Sequence, residues 1–173
     1  LALLSKENAI TFVAIIPLTL YFFTSAKING LVKSGLPYLG AAVLFMLIRS
    51  SILGLDLGNS GTELMNNPFL ELENGRYVAI AKGEQMATVF YTLGKYIQLL
   101  FLPLPLTHDY YPRHVEIMQF GNPKVLISFV IYFGLLIYGI RGLLKKDILA
   151  YAILFYLITL SIVSNLFFPI GTN

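Results

Sequence analysis

Residues 125–140 read Val-Leu-Ile-Ser-Phe-Val-Ile-Tyr-Phe-Gly-Leu-Leu-Ile-Tyr-Gly-Ile, without one charged side chain. A helix over this run is apolar on every face, unlike the surface helix of a soluble domain. Three further runs share the character: 9–24, reaching upstream through Leu1–Leu4 and with Pro17 as a kink; 36–53; and 148–169. A spanning helix needs about 20 mostly apolar residues, so the four runs predict four crossings. The fold class this implies is all-α, a polytopic bundle of transmembrane helices.

Composition agrees. The 173 residues are 57% hydrophobic and 12% charged, with mean hydropathy +0.75. Soluble domains carry about 25% charged residues, and half that number cannot cover a water-facing surface. The net charge of +3 is too small to suggest a nucleic-acid partner. Absence of cysteine excludes disulfides, thiolate catalysis and cysteine-based zinc sites. His108 and His114 lie six apart, not at a helical zinc-binding spacing. No repeat or low-complexity stretch interrupts the chain. It opens at Leu1 with no basic segment before the first apolar run and stops soon after the last one. It reads as an internal piece of a longer membrane protein.

Residues 86–106 are long enough to span, but Thr88, Thr92, Lys95 and Gln98 recur at helical spacing and form a polar stripe. Lysine at the bilayer centre costs about 2.5–3.5 kcal/mol, which a helix lying in the interface avoids. Pro103 and Pro105 then end the helix. Loop charge points the same way. The connection around Lys27 and Lys33 is basic, and so is 141–147, with Arg141, Lys145 and Lys146 against Asp147. The positive-inside rule puts both in the cytoplasm. Residues 55–85 hold Asp56, Glu63, Glu71, Glu73 and Glu84 against Arg76 and Lys82, and belong outside. Both basic loops stay inside only if 86–106 does not cross. The chain is thus expected to be one membrane domain, with an outer-face region at 55–124 containing an outer-leaflet helix at 86–106.

That topology gathers Lys6, Glu7, Arg49, Asp109 and Asn165 at the outer surface. Each has two readings. Lys6 and Glu7 either snorkel at a helix end, or hold a phosphate (Lys6) and a sugar hydroxyl, a cation or a proton (Glu7). Arg49 is an interfacial anchor or a phosphate ligand, for which its planar fork of donors is suited. Asp109 caps a turn, or acts as a base or cation ligand. Arg113 and His114 are weaker candidates of the same surface. Asn66-Asn67-Pro68 reads as turn chemistry.

Taken in order, several short motifs carry a resemblance. They are Leu4-Ser5-Lys6-Glu7, Asn67-Pro68-Phe69, Leu100-Phe101-Leu102-Pro103-Leu104-Pro105-Leu106 with His108-Asp109-Tyr110, and Ser164-Asn165-Leu166-Phe167-Phe168-Pro169-Ile170-Gly171-Thr172. The chain resembles the transmembrane and tetratricopeptide-repeat-containing family, whose animal members are protein O-mannosyltransferases of the GT-C class. It departs from the family pattern at 102–106, where Phe-Pro-Trp-Pro-Leu often stands, and at His108, where an apolar residue or cysteine is usual. The resemblance implies a GT-C-like bundle. Its activity would be inverting transfer of a sugar, mannose in the animal case, from a polyprenyl-phosphate donor to a protein or other acceptor. It implies Lys6 and Arg49 as donor-phosphate ligands, Asp109 and Glu7 as catalytic carboxylates, and His108, Tyr110, Arg113 and Asn165 as acceptor or donor contacts. The resemblance leaves a divalent cation open as cofactor and implies no metal ligands for it. The acidic residues that GT-C enzymes carry in their first outer loop would precede Leu1, and the repeats would follow Asn173. The location expected is a bacterial plasma membrane, or the endoplasmic reticulum membrane of a eukaryote. Two rivals stand beside this reading: a transporter, and a silent membrane anchor for the repeats.

Overall fold

The computed structural model describes residues 2–53, 67–104 and 115–166. Among them are six α-helices and one two-stranded antiparallel sheet. The helices are α1 (Ala2–Ser5), α2 (Phe12–Phe23), α3 (Ile28–Leu53), α4 (Lys82–Phe101), α5 (Pro123–Leu143) and α6 (Ile148–Ser161). A 3-10 turn, Glu7–Thr11, joins α1 to α2. The chain divides into two compact units: Leu1–Leu57 with Gly134–Val163, and Gly58–Phe133 with Ser164–Asn173.

The apolar runs become helices of unequal length. Helices α3 and α5 are long and apolar enough to cross a membrane, over Ile28–Ile52 and Pro123–Leu143. The first and last runs are helical over only 12 and 14 residues in α2 and α6, about 18 and 21 Å at 1.5 Å per residue. The first run becomes α-helical only at Phe12 because Glu7–Thr11 is a 3-10 turn, and extended Lys6 (φ −156°, ψ 127°) separates that turn from α1.

In the first unit, α2 and α3 pack as a hairpin across the four-residue link 24–27. Pro17 does not end α2. Its ring lies against Gly35, where an added Cβ would come within 3.2 Å of the proline Cγ. Helix α6 covers α2 through Tyr151, whose hydroxyl meets Thr19 Oγ1 at 3.0 Å and whose ring contacts Phe22 and Phe23. The α5–α6 turn is closed by small residues: a Cβ on Gly142 would collide with Ala150 Cβ, and one on Gly139 would come within 2.9 Å of Leu154. Asp147 caps α6, accepting from the Leu149 N–H at 3.1 Å and from the Tyr138 hydroxyl at 2.6 Å. These donors, Tyr138 first, hold the Asp147 carboxyl below its ordinary pKa. Its contribution to stability is therefore present above the usual carboxylate range and lost as pH falls through the lowered value.

The second unit contains an element absent from the all-α expectation. Strands β1 (Leu70–Glu73) and β2 (Arg76–Ala79) pair antiparallel, Leu70 opposite Ala79 and Glu73 opposite Arg76. Asn74 and Gly75 both have positive φ, 50° and 78°, as a two-residue type I′ turn requires. Asn67, 4% exposed, accepts from the Phe69 N–H at 3.0 Å, and Ile80 N–H donates to Phe69 O at 3.1 Å, closing the base of the hairpin. Asn67 is thus a turn residue, as its sequence context suggests.

Candidate functional site

The α2–α3 hairpin fixes where Lys6 and Arg49 go. From the Pro17–Gly35 contact, Arg49 lies 14 residues forward along α3, about 21 Å at helical rise, and Lys6 lies 11 residues back, before the 3-10 turn that precedes α2. Because the two helices are antiparallel, the start of α2 and the end of α3, with Arg49, lie at the same end of the hairpin. Helix α1, directly before Lys6, touches α3. Lys6 is exposed and Arg49 half-buried. Glu7 opens the 3-10 turn at this end, and its side chain lies outside what the structure describes. The 3-10 turn also meets α6, so the C-terminal part of α6 belongs to this end as well.

The opposite end of the same unit collects the basic connections. Lys146 Nζ donates to Thr24 O at 3.1 Å and sits 4.9 Å from the centre of the Tyr21 ring. Tyr21 in turn donates to Leu143 O at 2.9 Å. The link bearing Lys27 and the turn bearing Arg141, Lys145 and Lys146 are therefore neighbours. The end with Lys6 and Arg49 is away from them.

Asn165 is 3% exposed and has φ +58° in the turn after α6. That burial and backbone conformation suit a chain-reversing residue that asparagine tolerates. His108, Asp109, Tyr110, Arg113 and His114 lie outside the described residues. Among the described residues no group of three or more histidine or acidic side chains is placed to hold a metal ion.

The polar stripe of α4 faces another way than expected. Thr88 and Thr92 are 2% and 7% exposed, so the stripe begins against protein and not water. The reason is local. Thr88 Oγ1 donates to Glu84 O at 2.8 Å and Thr92 Oγ1 to Thr88 O at 3.0 Å, so neither hydroxyl carries unmet polarity into the packed face. Small residues then let α5 approach, since a Cβ on Gly94 would collide with the Ser128 hydroxyl. The Tyr132 hydroxyl donates to Leu93 O at 3.0 Å, and Phe129 meets Phe90 edge-on at 5.0 Å. Close contact through glycine, serine and threonine is typical of helices packed within a bilayer.

These contacts also set a direction. Glu84 and Thr88 meet Gln119 and Met118, before α5 begins. Phe90, Leu93 and Gly94 meet Phe129, Tyr132 and Ser128, inside it. The two helices advance together, and the chain has returned to the starting level of α4 before α5 starts. Sequence reasoning missed the inward turn of Thr88 and Thr92 because threonine counts as polar on any scale. The signal available was their i, i+4 spacing next to Gly94.

Comparison with family models, with curated proteins and with solved structures finds no match for this chain.

Proposed function

We propose that this chain is part of the membrane domain of a polyprenyl-phosphate-dependent glycosyltransferase of GT-C type, working at the outer face of a multi-pass membrane protein. The observation that supports the reading is that the start of α2, which Lys6 precedes, and the end of α3, which carries Arg49, share one end of the first unit, away from the basic connections. Two cations at that level match the phosphate of a donor whose isoprenoid tail stays in the bilayer. As sugar transfer proceeds, negative charge builds on the leaving phosphate, and fixed cations aimed at it lower the barrier. Lys6 stands at a break in the helix, where an extended backbone frees its side chain from the helical surface. Arg49 supplies the forked donors that match phosphate oxygens. On this reading Asp109 serves as the outer-face carboxylate and the acceptor is a protein or another hydroxyl-bearing molecule. The resemblance of the ordered motifs supports the same class.

The test is sugar transfer from a polyprenyl-phosphate donor by the full-length protein in nanodiscs. Lys6→Met with Arg49→Gln should lower donor affinity by about a hundredfold, on the scale of two charge-assisted hydrogen bonds. The melting temperature should change little, because cations at a helix end are readily solvated. Unchanged donor affinity with a large fall in melting temperature would return both residues to an anchoring role.

The membrane topology has its own test. Gly83 and Glu116 are exposed and flank the turn-and-return of α4. Cysteines placed there should label from the same side of the membrane with an impermeant maleimide. Labelling from opposite sides would make α4 a crossing helix and reverse the assignment of the 141–147 loop.

A further inference from the structure

The two helices able to cross a membrane bring basic ends together. Helix α3 starts at Ile28, directly after Lys27. Helix α5 ends at Leu143, with Arg141 in its last turn and Lys145 and Lys146 just past it. The Tyr21 hydroxyl on Leu143 O and the Lys146 ammonium on Thr24 O hold these two ends against each other. Four cations therefore share one end of the first unit, and all four are exposed. They are not needed to finish α5, because the turn itself takes the last carbonyls. Gly142 O receives the Lys145 and Asp147 N–H groups at 3.2 Å, and Leu143 O receives the Lys146 N–H at 3.2 Å beside the Tyr21 hydroxyl. The oxygens of Asp147, the acid of this turn, are held by neutral donors, Leu149 N–H and the Tyr138 hydroxyl. Lys146 is committed to Thr24 and the Tyr21 ring. Lys27, Arg141 and Lys145 remain to carry the exposed charge.

Apolar residues alternate with these cations. Ile28 follows Lys27, Ile140 precedes Arg141, Leu144 precedes Lys145 and Ile148 opens α6, and each is 52–88% exposed. Exposed apolar groups gathered in one place and rimmed by charge mark an interaction surface. A free anion would match the cations and leave the apolar groups in water. A phospholipid matches both, since its phosphate sits directly above its acyl chains, and clusters of about four or more Lys and Arg beside a spanning helix draw anionic heads. We infer that this end of the first unit binds an anionic phospholipid of the adjoining leaflet, its phosphate on Lys27, Arg141 and Lys145 and its chains along Ile28, Ile140 and Leu144. This rests on the membrane placement proposed above, and it does not require that sugar transfer occur.

The experiment uses the full-length protein in phosphatidylcholine nanodiscs with and without phosphatidylglycerol, retained lipid being read by mass spectrometry. The wild-type chain should retain phosphatidylglycerol in preference to phosphatidylcholine. Lys27→Gln, Arg141→Gln and Lys145→Gln combined should lower that preference about a hundredfold, while Lys27→Arg with Lys145→Arg keeps it. In the wild-type chain phosphatidylglycerol should slow acylation of Lys27 and Lys145 by an amine-reactive reagent about fivefold, a readout that needs no variant to fold. Undiminished preference in the combined glutamine variant, or equal acylation in both bilayers, overturns the proposal. Equal protection by inorganic phosphate in phosphatidylcholine alone would make this a plain anion site and overturn it too. Failure of the membrane placement would appear differently, as a chain that stays in solution without detergent and enters no nanodisc, and the proposal would fall with it. Failure of the transferase reading would leave the lipid preference unchanged.

Discussion

Gly142→Leu is expected to destabilise the α5–α6 hairpin severely. Gly142 is buried, and even the single carbon of alanine would collide with the Cβ of Ala150. Leucine adds three more carbons at a point where Ala150 is fully buried and cannot move outward. Relief requires the helices to separate. Separation would pull Leu143 O away from the Tyr21 hydroxyl and Lys146 away from Thr24, so the damage spreads to the contacts that hold α2. Overpacking of a tight core commonly costs about 1–3 kcal/mol, with larger values where the backbone must shift. The expectation here is about 3 kcal/mol or more, read as a fall in melting temperature in detergent or nanodiscs. Gly134→Leu is the control, because a side chain at Gly134 meets open space. Equal stability of the two variants would mean that Gly142 is not a packing position.

Asp109→Asn is expected to lower sugar transfer by about a hundredfold or more, on the scale of lost acid–base or ligand chemistry. Asparagine keeps the shape of aspartate and caps a turn about as well. A purely structural Asp109 would therefore leave turnover intact. A carboxylate that binds the acceptor, a cation or a proton would not survive the exchange, since the amide is neutral and cannot take up a proton at neutral pH. Expression and membrane insertion should match the parent chain, so that the loss appears in turnover and not in yield. Wild-type turnover in the asparagine variant would remove Asp109 from the site.

How much of this was legible in sequence depends on which forces decide each feature. The long helices α3 and α5 were visible because an uninterrupted apolar run has few other solutions. Their ends were less so: α3 begins at Ile28, eight residues before the apolar run read from 36, since helix formation continues through Asn29, Gly30 and Lys33. The shortness of α2 was not visible, because it turns on the local backbone of residues 6–11, an extended Lys6 followed by a 3-10 turn. The β-hairpin could have been read: Leu70, Leu72, Val78 and the central Asn-Gly carry an alternating pattern and a turn that needs positive φ. Attention to hydropathy over long windows passes over a ten-residue element. For the site, counting crossings puts Lys6 and Arg49 at a common end, and the α2–α3 hairpin is compatible with that through the start of α2 and the end of α3. The orientation of α4 was illegible because its threonines satisfy their own helix, a fact that only the folded backbone supplies.

The hairpin has a consequence in time. All four of its paired positions lie within ten residues of one another, from Leu70 opposite Ala79 down to Glu73 opposite Arg76. Contacts so close in sequence lose little loop entropy on closing, and hairpins of this kind form in about 1–10 μs. During synthesis residues are added at only about 5–20 per second. The Asn74-Gly75 turn can therefore close and reopen many thousands of times before Tyr132 is made and able to reach α4. Its register is set by local chemistry alone, so the link from Phe69 to Ile80 arrives already shortened when the helices on either side begin to search for their partners.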